Sequence, residues 1–124
     1  MKSARSTIRV ARVSHSEVEP GIIAVVLTGR LDVRNVPHVE EEFRRITSSG
    51  KPVIVDLSGV ELMNSVGLAM LIEGANSMRA CGAPMVLLNP RQRVEKVIRI
   101  ASLDQMLPIL SELNEAVRRI KTAA

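Results

Sequence analysis

The segment that decides the interpretation of this chain is Asp56-Leu57-Ser58-Gly59-Val60-Glu61-Leu62-Met63-Asn64-Ser65-Val66-Gly67-Leu68. The segment begins within a run rich in β-branched residues, Val53 to Leu57, which predicts a buried strand. Ser58-Gly59 is typical of a turn, so Ser58 to Asn64 is predicted to be a loop. The polar pair Asn64-Ser65 then predicts the start of a helix, because both residue types are favoured at helix N-termini.

Strands and helices are predicted to alternate on both sides of this segment. Apolar runs typical of strands lie at residues 7–13, 22–28, 53–57, 85–88 and 106–109. Apolar residues at three- and four-residue spacing predict helices within residues 35–50, 64–82, 89–101 and 110–120. This order predicts an α/β fold, with a central mixed, mostly parallel sheet of about four to five strands and about four helices.

Two connections are predicted to meet at one end of this sheet. Right-handed crossovers place strand-to-helix loops at the carboxyl ends of parallel strands, where such folds usually bind ligands and partners. Gly29 to Asn35 and Ser58 to Asn64 are both predicted loops of this kind, so we expect them to be neighbours. Asn35 is predicted to cap the first helix, whose first turn tolerates Pro37.

Composition limits the classes of function. The 124 residues fit one domain, and residues 1–6 are expected to be a flexible tail. The formal net charge is +4, but cations and acids are mixed on separate helices, and Phe43 is the only aromatic residue. Single-strand nucleic-acid binders usually need aromatic stacking platforms, so we expect no nucleic-acid partner. The apolar runs are too short to span a membrane.

The inventory of reactive residues favours a protein without catalysis. Cys81 is the only cysteine, which excludes an internal disulfide and a cysteine-based metal site and favours a reducing cytoplasm. Cys81 is expected to be a small core residue near a helix end. No Ser/His/Asp arrangement, phosphate-binding glycine loop or paired-acid constellation occurs in the sequence. The chain is therefore predicted not to be an enzyme, and to carry no cofactor or metal.

Ser65 at a helix start has two interpretations. Unpaired N–H groups and a partial positive charge allow a helix N-terminus to accept a phosphate without unfolding. Phosphorylation adds about −1.5 to −2 charges and three acceptor oxygens, which changes the sign of the local surface. A serine there is more commonly a helix cap, and the residues alone leave both interpretations open. Gly67 in the first turn would let another group approach the backbone closely.

The order of these elements, with Gly29-Arg30-Leu31-Asp32 and Val53-Ile54-Val55-Asp56-Leu57-Ser58-Gly59-Val60, resembles the STAS family. That family comprises anti-sigma-factor antagonists and the cytoplasmic domains of sulfate transporters. The resemblance spans residues 7 to 121 and is best at Asp56 to Leu71 and at Val94 to Leu107, which contains Ala101-Ser102-Leu103-Asp104. It implies a single domain over residues 1–124, with a central sheet and helices mainly on one side.

The resemblance also implies a phosphorylatable residue at the start of the second helix. By position this acceptor is Ser65, and Asp32 lies beside it on a partner-binding surface that includes Asn64, Val66 and Gly67. The implied partners are a GHKL-type serine kinase that doubles as an anti-sigma factor, and a metal-dependent serine phosphatase. Binding of the unmodified protein to the kinase would free the sigma factor. ATP and metal belong to these partners, not to this chain.

Two residues depart from the family pattern. Asn64 stands where family members usually have Asp, and Val66 stands where they have Ser or Thr, so Ser65 is the only acceptor in the motif. The alternative to a phosphorylation switch is a domain that binds constitutively, as a structural subunit of a stressosome-like or lipid-transport complex. In that alternative Ser65 is only a cap.

Overall fold

A computed structural model describes residues 10–123, so the predicted tail at residues 1–6 lies outside the described residues. Within this range, five strands and four α-helices alternate after an initial hairpin. The strands are β1 (Arg12–Glu19), β2 (Ile22–Leu31), β3 (Val53–Met63), β4 (Met85–Leu88) and β5 (Ile109–Leu110). The helices are α1 (Glu40–Thr47), α2 (Ser65–Cys81), α3 (Gln92–Ile100) and α4 (Leu113–Ala123), with 3-10 turns at Val36–His38 and Leu103–Gln105.

The strands form one sheet in chain order, β1-β2-β3-β4-β5. β1 is antiparallel to β2, and the other neighbouring pairs are parallel. The predicted mixed, mostly parallel sheet with four helices is therefore confirmed. β4 pairs with β3 only as far as Asp56, whereas β2 and β3 stay paired to Leu31 and Met63. The last part of the sheet is thus a two-stranded extension.

Helices cover both faces of the sheet. α1, α2 and α3 pack on one face in a large core that contains Phe43, Leu71 and Ile98. α4 packs on the other face, where Ile120 shares a smaller core with Ile54. Consecutive residues of β3 therefore face different cores, which explains why this strand begins as an unbroken apolar run.

β3 is longer than predicted because its pairing with β2 continues beyond the buried run. Thr28 pairs with Gly59 and the ladder runs to the end of both strands, so the loop predicted at Ser58 to Asn64 is mostly strand. A Cβ at Gly59 would lie 2.6 Å from Cγ2 of Thr28, so this glycine permits close strand contact rather than forming a turn. The loop predicted to start at Gly29 begins only after Leu31.

The two edge strands lie later in the chain than predicted. β1 overlaps the predicted strand Thr7 to Val13 only at its last two residues, and residues 7–9 lie outside the described part. β5 overlaps Met106 to Ile109 only at Ile109. Most side chains of β1 are polar and exposed, so they provide no apolar period for a prediction to detect.

The end of α2 corrects one prediction and confirms another. The last helical residue is Cys81, and Gly82 ends the helix as predicted. Gly82 has the left-handed backbone conformation, with φ 72°. Cys81 is exposed rather than buried, so its prediction as a core residue is wrong. The core position near this helix end is occupied by Met78, which is 1% exposed.

The contact between α1 and α2 depends on a glycine beside the aromatic ring. A Cβ at Gly74 would lie 2.7 Å from Cε2 of Phe43 and 3.2 Å from Cγ2 of Thr47. We expect Gly74→Ala to lower the free energy of unfolding by about 1–3 kcal/mol, because overpacking strains a core in which Phe43 is fully enclosed. Urea unfolding measures this change.

A double-mutant cycle tests the same contact. Phe43→Leu should make Gly74→Ala less costly, with a coupling free energy on the order of 0.5–3 kcal/mol. Asn76→Ala, at an exposed position of the same helix, should not lower the urea midpoint, because alanine has a higher helix propensity than asparagine. Additive effects of the substitutions at positions 43 and 74 would contradict the predicted contact.

Candidate functional site

The paired ends of β2 and β3 bring two separate segments together. Asp32 follows the last residue of β2, and Asn64 follows the last residue of β3. The backbone N–H of Asn64 donates to the carbonyl oxygen of Leu31 at 3.2 Å, which fixes the two chain segments side by side. The expectation that these segments are neighbours is confirmed.

Asn64 is the cap of α2. Its backbone is extended (φ −108°, ψ −166°), and its side-chain oxygen accepts a hydrogen bond from the Val66 N–H at 3.1 Å. The Leu68 N–H donates to the Asn64 carbonyl at 3.0 Å and closes the first helical turn. Ser65 is therefore the first residue inside the helix, and its exposed hydroxyl is not required for this cap. The interpretation of Ser65 as only a cap is not supported by this geometry.

Asp32 is held in the turn that leaves β2. One carboxylate oxygen accepts hydrogen bonds from the backbone N–H and the side-chain amide of Asn35, at 3.0 and 2.9 Å. The other oxygen lies 3.7 Å from Nε of Arg30, and the side chain is 19% exposed. The turn thus fixes a carboxylate whose charge is partly balanced. The prediction that Asn35 caps a helix is wrong. The side chain of Asn35 makes no capping hydrogen bond, because its amide donates to Asp32, and a 3-10 turn follows instead of an α-helix.

A shallow cleft of about 640 Å³ lies between the two segments. Asp32, Asn64 and Leu62 line it, together with Arg30 and Arg34. The same lining includes an apolar side chain that the sequence prediction missed, Val33, which is 70% exposed. A valine in an otherwise polar turn was the available signal.

Gly67 is buried beneath this surface. A Cβ there would lie 2.6 Å from the Leu31 carbonyl oxygen and 2.7 Å from the Leu31 Cβ. The group that approaches this glycine closely is therefore β2 of the same chain, not another molecule. Val66 is half-buried, so the outer surface at this point consists mainly of Asn64 and Ser65. We call the patch formed by the exposed residues Val33, Asn64 and Ser65 and the part-buried Asp32 the Ser65 surface.

Charged residues elsewhere form internal pairs. The Arg99 guanidinium donates to Glu95 at 2.8 Å and to Asp104 at 3.1 Å, and the hydrogen bond with Glu95 is the main cause of a raised pKa of Arg99. Residues 10–123 contain no group of three or more histidine, cysteine, aspartate or glutamate residues that could hold a metal ion. No helix in this part of the chain has the length and apolar character to cross a membrane.

Comparison with protein-family models assigns this architecture. The STAS domain model matches residues 15–116, which contain most of the described sheet and the whole Ser65 surface. The chain belongs to the STAS domain family. The family resemblance carried by the Asp56 to Leu71 region is thereby confirmed.

Individual proteins similar to this STAS domain agree with the assignment. A Thermotoga neapolitana protein, named as an anti-sigma factor antagonist homologue, is 29% identical over 69 residues. The matched segment is 56% of this chain and 61% of the length of the relative.

Solved structures show the same fold. An anti-sigma factor antagonist from Mycobacterium paratuberculosis superposes with a TM-score of 0.81 at 20% identity, covering 91% of this chain and 96% of the other. The Bacillus protein SpoIIAA in its phosphorylated form gives a TM-score of 0.69 at 20% identity, covering 88% of this chain and 99% of the other.

The cap predicts how substitutions at Asn64 change stability. Asn64→Ala should lower the free energy of unfolding by about 1 kcal/mol, because the Val66 N–H loses its acceptor. Asn64→Asp should retain wild-type stability or exceed it slightly, because a carboxylate caps equally well and interacts favourably with the helix dipole. Urea unfolding at neutral pH measures both variants.

Asn76→Ala is the matched control, since it removes the same amide from an exposed position within α2. A loss of stability in Asn76→Ala equal to that in Asn64→Ala would show that the cap has no special role.

Proposed function

We propose that this STAS domain is an anti-sigma factor antagonist that binds an anti-sigma factor through the Ser65 surface and is switched by phosphorylation of Ser65. The observation that carries the proposal is the separation of roles at the start of α2. Asn64 caps the helix, which leaves the exposed hydroxyl of Ser65 available as a phosphoryl acceptor. The relative named as an anti-sigma factor antagonist homologue and the phosphorylated protein of the same fold support it.

In the unmodified state the Ser65 surface offers both apolar and charged contacts. Val33 presents an exposed apolar side chain next to the oriented carboxylate of Asp32. The hydroxyl of Ser65 and the amide of Asn64 are neutral, so a partner can cover them without burying a net charge at the helix start. Binding to this surface is thus compatible with an interface in which one apolar contact at Val33 is surrounded by polar groups.

Phosphorylation would change this surface without dismantling the fold. No acidic side chain lies in the first turn of α2, so the phosphate meets the positive end of the helix dipole without a neighbouring repulsion there. Burying about two negative charges against a partner would cost several kcal/mol unless the partner supplied compensating cations. Release of the partner then follows from charge and desolvation.

The proposed partner is a GHKL-type serine kinase that is also the anti-sigma factor. The Ser65 oxygen attacks the γ-phosphorus of ATP, ADP leaves, and a base of the kinase accepts the serine proton. Binding of the unmodified domain to this kinase frees a sigma factor, and a metal-dependent serine phosphatase restores the free serine. The STAS domain acts in the cytoplasm as a binding module, and catalysis belongs to its partners.

Substitutions at Ser65 test the switch. Ser65→Asp should weaken binding to the kinase that co-purifies from the host by at least tenfold, because the interface would have to bury a carboxylate. Ser65→Asn introduces a side chain of nearly the same shape as aspartate but without its charge. This variant should bind the kinase far better than Ser65→Asp. Calorimetry measures both affinities, and circular dichroism should show the same fold in both variants.

Phosphoryl transfer provides the second readout. The kinase and ATP should label the wild-type chain and the Ser111→Ala control, in which a different exposed serine is removed, but not Ser65→Ala. Equal binding by Ser65→Asp and Ser65→Asn, or labelling of Ser65→Ala, would refute the proposed switch.

A further inference from the structure

A second cleft lies at the opposite end of the sheet from Ser65. It opens beside Met85, the first residue of β4, which pairs with Val53 at the first residue of β3. Ser65 lies just beyond the last residue of the same strand. β3 has 11 residues, and a rise of about 3.3 Å per residue places the two sites on the order of 30 Å apart. The cleft is therefore separate from the Ser65 surface.

The floor of this cleft is apolar. Met78, Met85 and Leu107 line it and are almost fully buried, and Met106 lines it with 38% of its surface exposed. The volume is about 350 Å³, which falls in the range of roughly 300–1,000 Å³ that is usual for small-molecule sites. Methionine side chains are flexible and polarisable, so they adapt to an aliphatic ligand.

The polar groups of the cleft are cationic. Arg79 of α2 and Arg119 of α4 are exposed and line it, and no acidic side chain does so. Within residues 10–123 neither arginine takes part in an ion pair. The nearby carboxyl ends of α2 and α4 each contribute about half a negative charge, and the two guanidinium groups together exceed this. The cleft therefore combines an apolar floor with a net positive lining.

We propose that this cleft, the Met78 cleft, binds an aliphatic carboxylate of the fatty-acid class. The hydrocarbon chain would lie on the accessible apolar lining, Met106, Pro84 and Pro108, with Met78 and Met85 directly beneath it. The carboxylate would pair with Arg79 and Arg119. Arginine is suited to this role because its planar donors match the two oxygens of a carboxylate. A neutral alcohol of the same length would lack the ionic contact, and a compact anion would leave the apolar floor uncovered.

Decanoate is the probe for this site, at concentrations below those at which it forms micelles. The full chain, labelled with ¹³C in its methionine methyl groups, is titrated while methyl resonances are recorded by NMR. Met78, Met85 and Met106 should shift in a saturable way. Met63 should not shift, because it lies at the other end of β3. Decanol should bind at least tenfold more weakly, and added salt should weaken decanoate binding.

Arginine variants separate specific binding from adsorption to any apolar surface. Arg79→Gln and Arg119→Gln should each raise the Kd for decanoate about tenfold, since each removes a charge-assisted hydrogen bond. Arg118→Gln removes an exposed arginine of α4 that does not line the cleft, and it should bind like wild type. Absence of saturable shifts, equal shifts at Met63, equal affinity for decanol, or unchanged binding in both cleft variants would each overturn the proposal.

Discussion

The parallel pairing of β2 with β3 is the constraint on which the Ser65 surface depends. β4 stops opposite Asp56, but β2 and β3 continue together through two register shifts to Leu31 and Met63. α2 then has to start directly against the end of β2, where only a glycine at position 67 leaves room for the Leu31 carbonyl. The position of Ser65 therefore follows from strand pairing, and any change that shifts the ladder would move the surface as well.

At the start of α2, the structural roles and the proposed phosphorylation fall on different residues. Asn64 satisfies a helix N–H without bringing a charge, and Gly67 provides the close packing. Ser65 is left exposed between them, so its modification need not disturb either contact. With Asn64 in place of a carboxylate, a phosphate on Ser65 would be the sole anion in the first turn, and the relative change in local charge would be large. This arrangement shows how a departure from the family pattern is compatible with the proposed phosphorylation switch.

The sequence predicted what depends on strong local patterns. The buried run at Val53 and the end of α2 at Gly82 were correctly placed, because apolar continuity and a left-handed glycine are local signals. The extension of β3 was missed because Gly59 was interpreted as a turn residue. In the structure Gly59 allows close contact with Thr28, a residue far away in the sequence. Asn35 was misread for a local reason, because its amide binds the carboxylate of Asp32 three residues earlier instead of capping a helix. Val33 was overlooked because the exposure of the turn is known only once the strands are paired.

The central claim is that phosphate on Ser65 changes the surface and leaves the fold intact. The most direct measurement compares amide ¹H–¹⁵N spectra of the wild-type chain with those of a chain carrying phosphoserine incorporated during translation at position 65. Shifts should be confined to residues 31–35 and 62–69, and resonances in β4, α3 and α4 should be unchanged. Widespread shifts in those distant elements, or loss of dispersion across the spectrum, would contradict it.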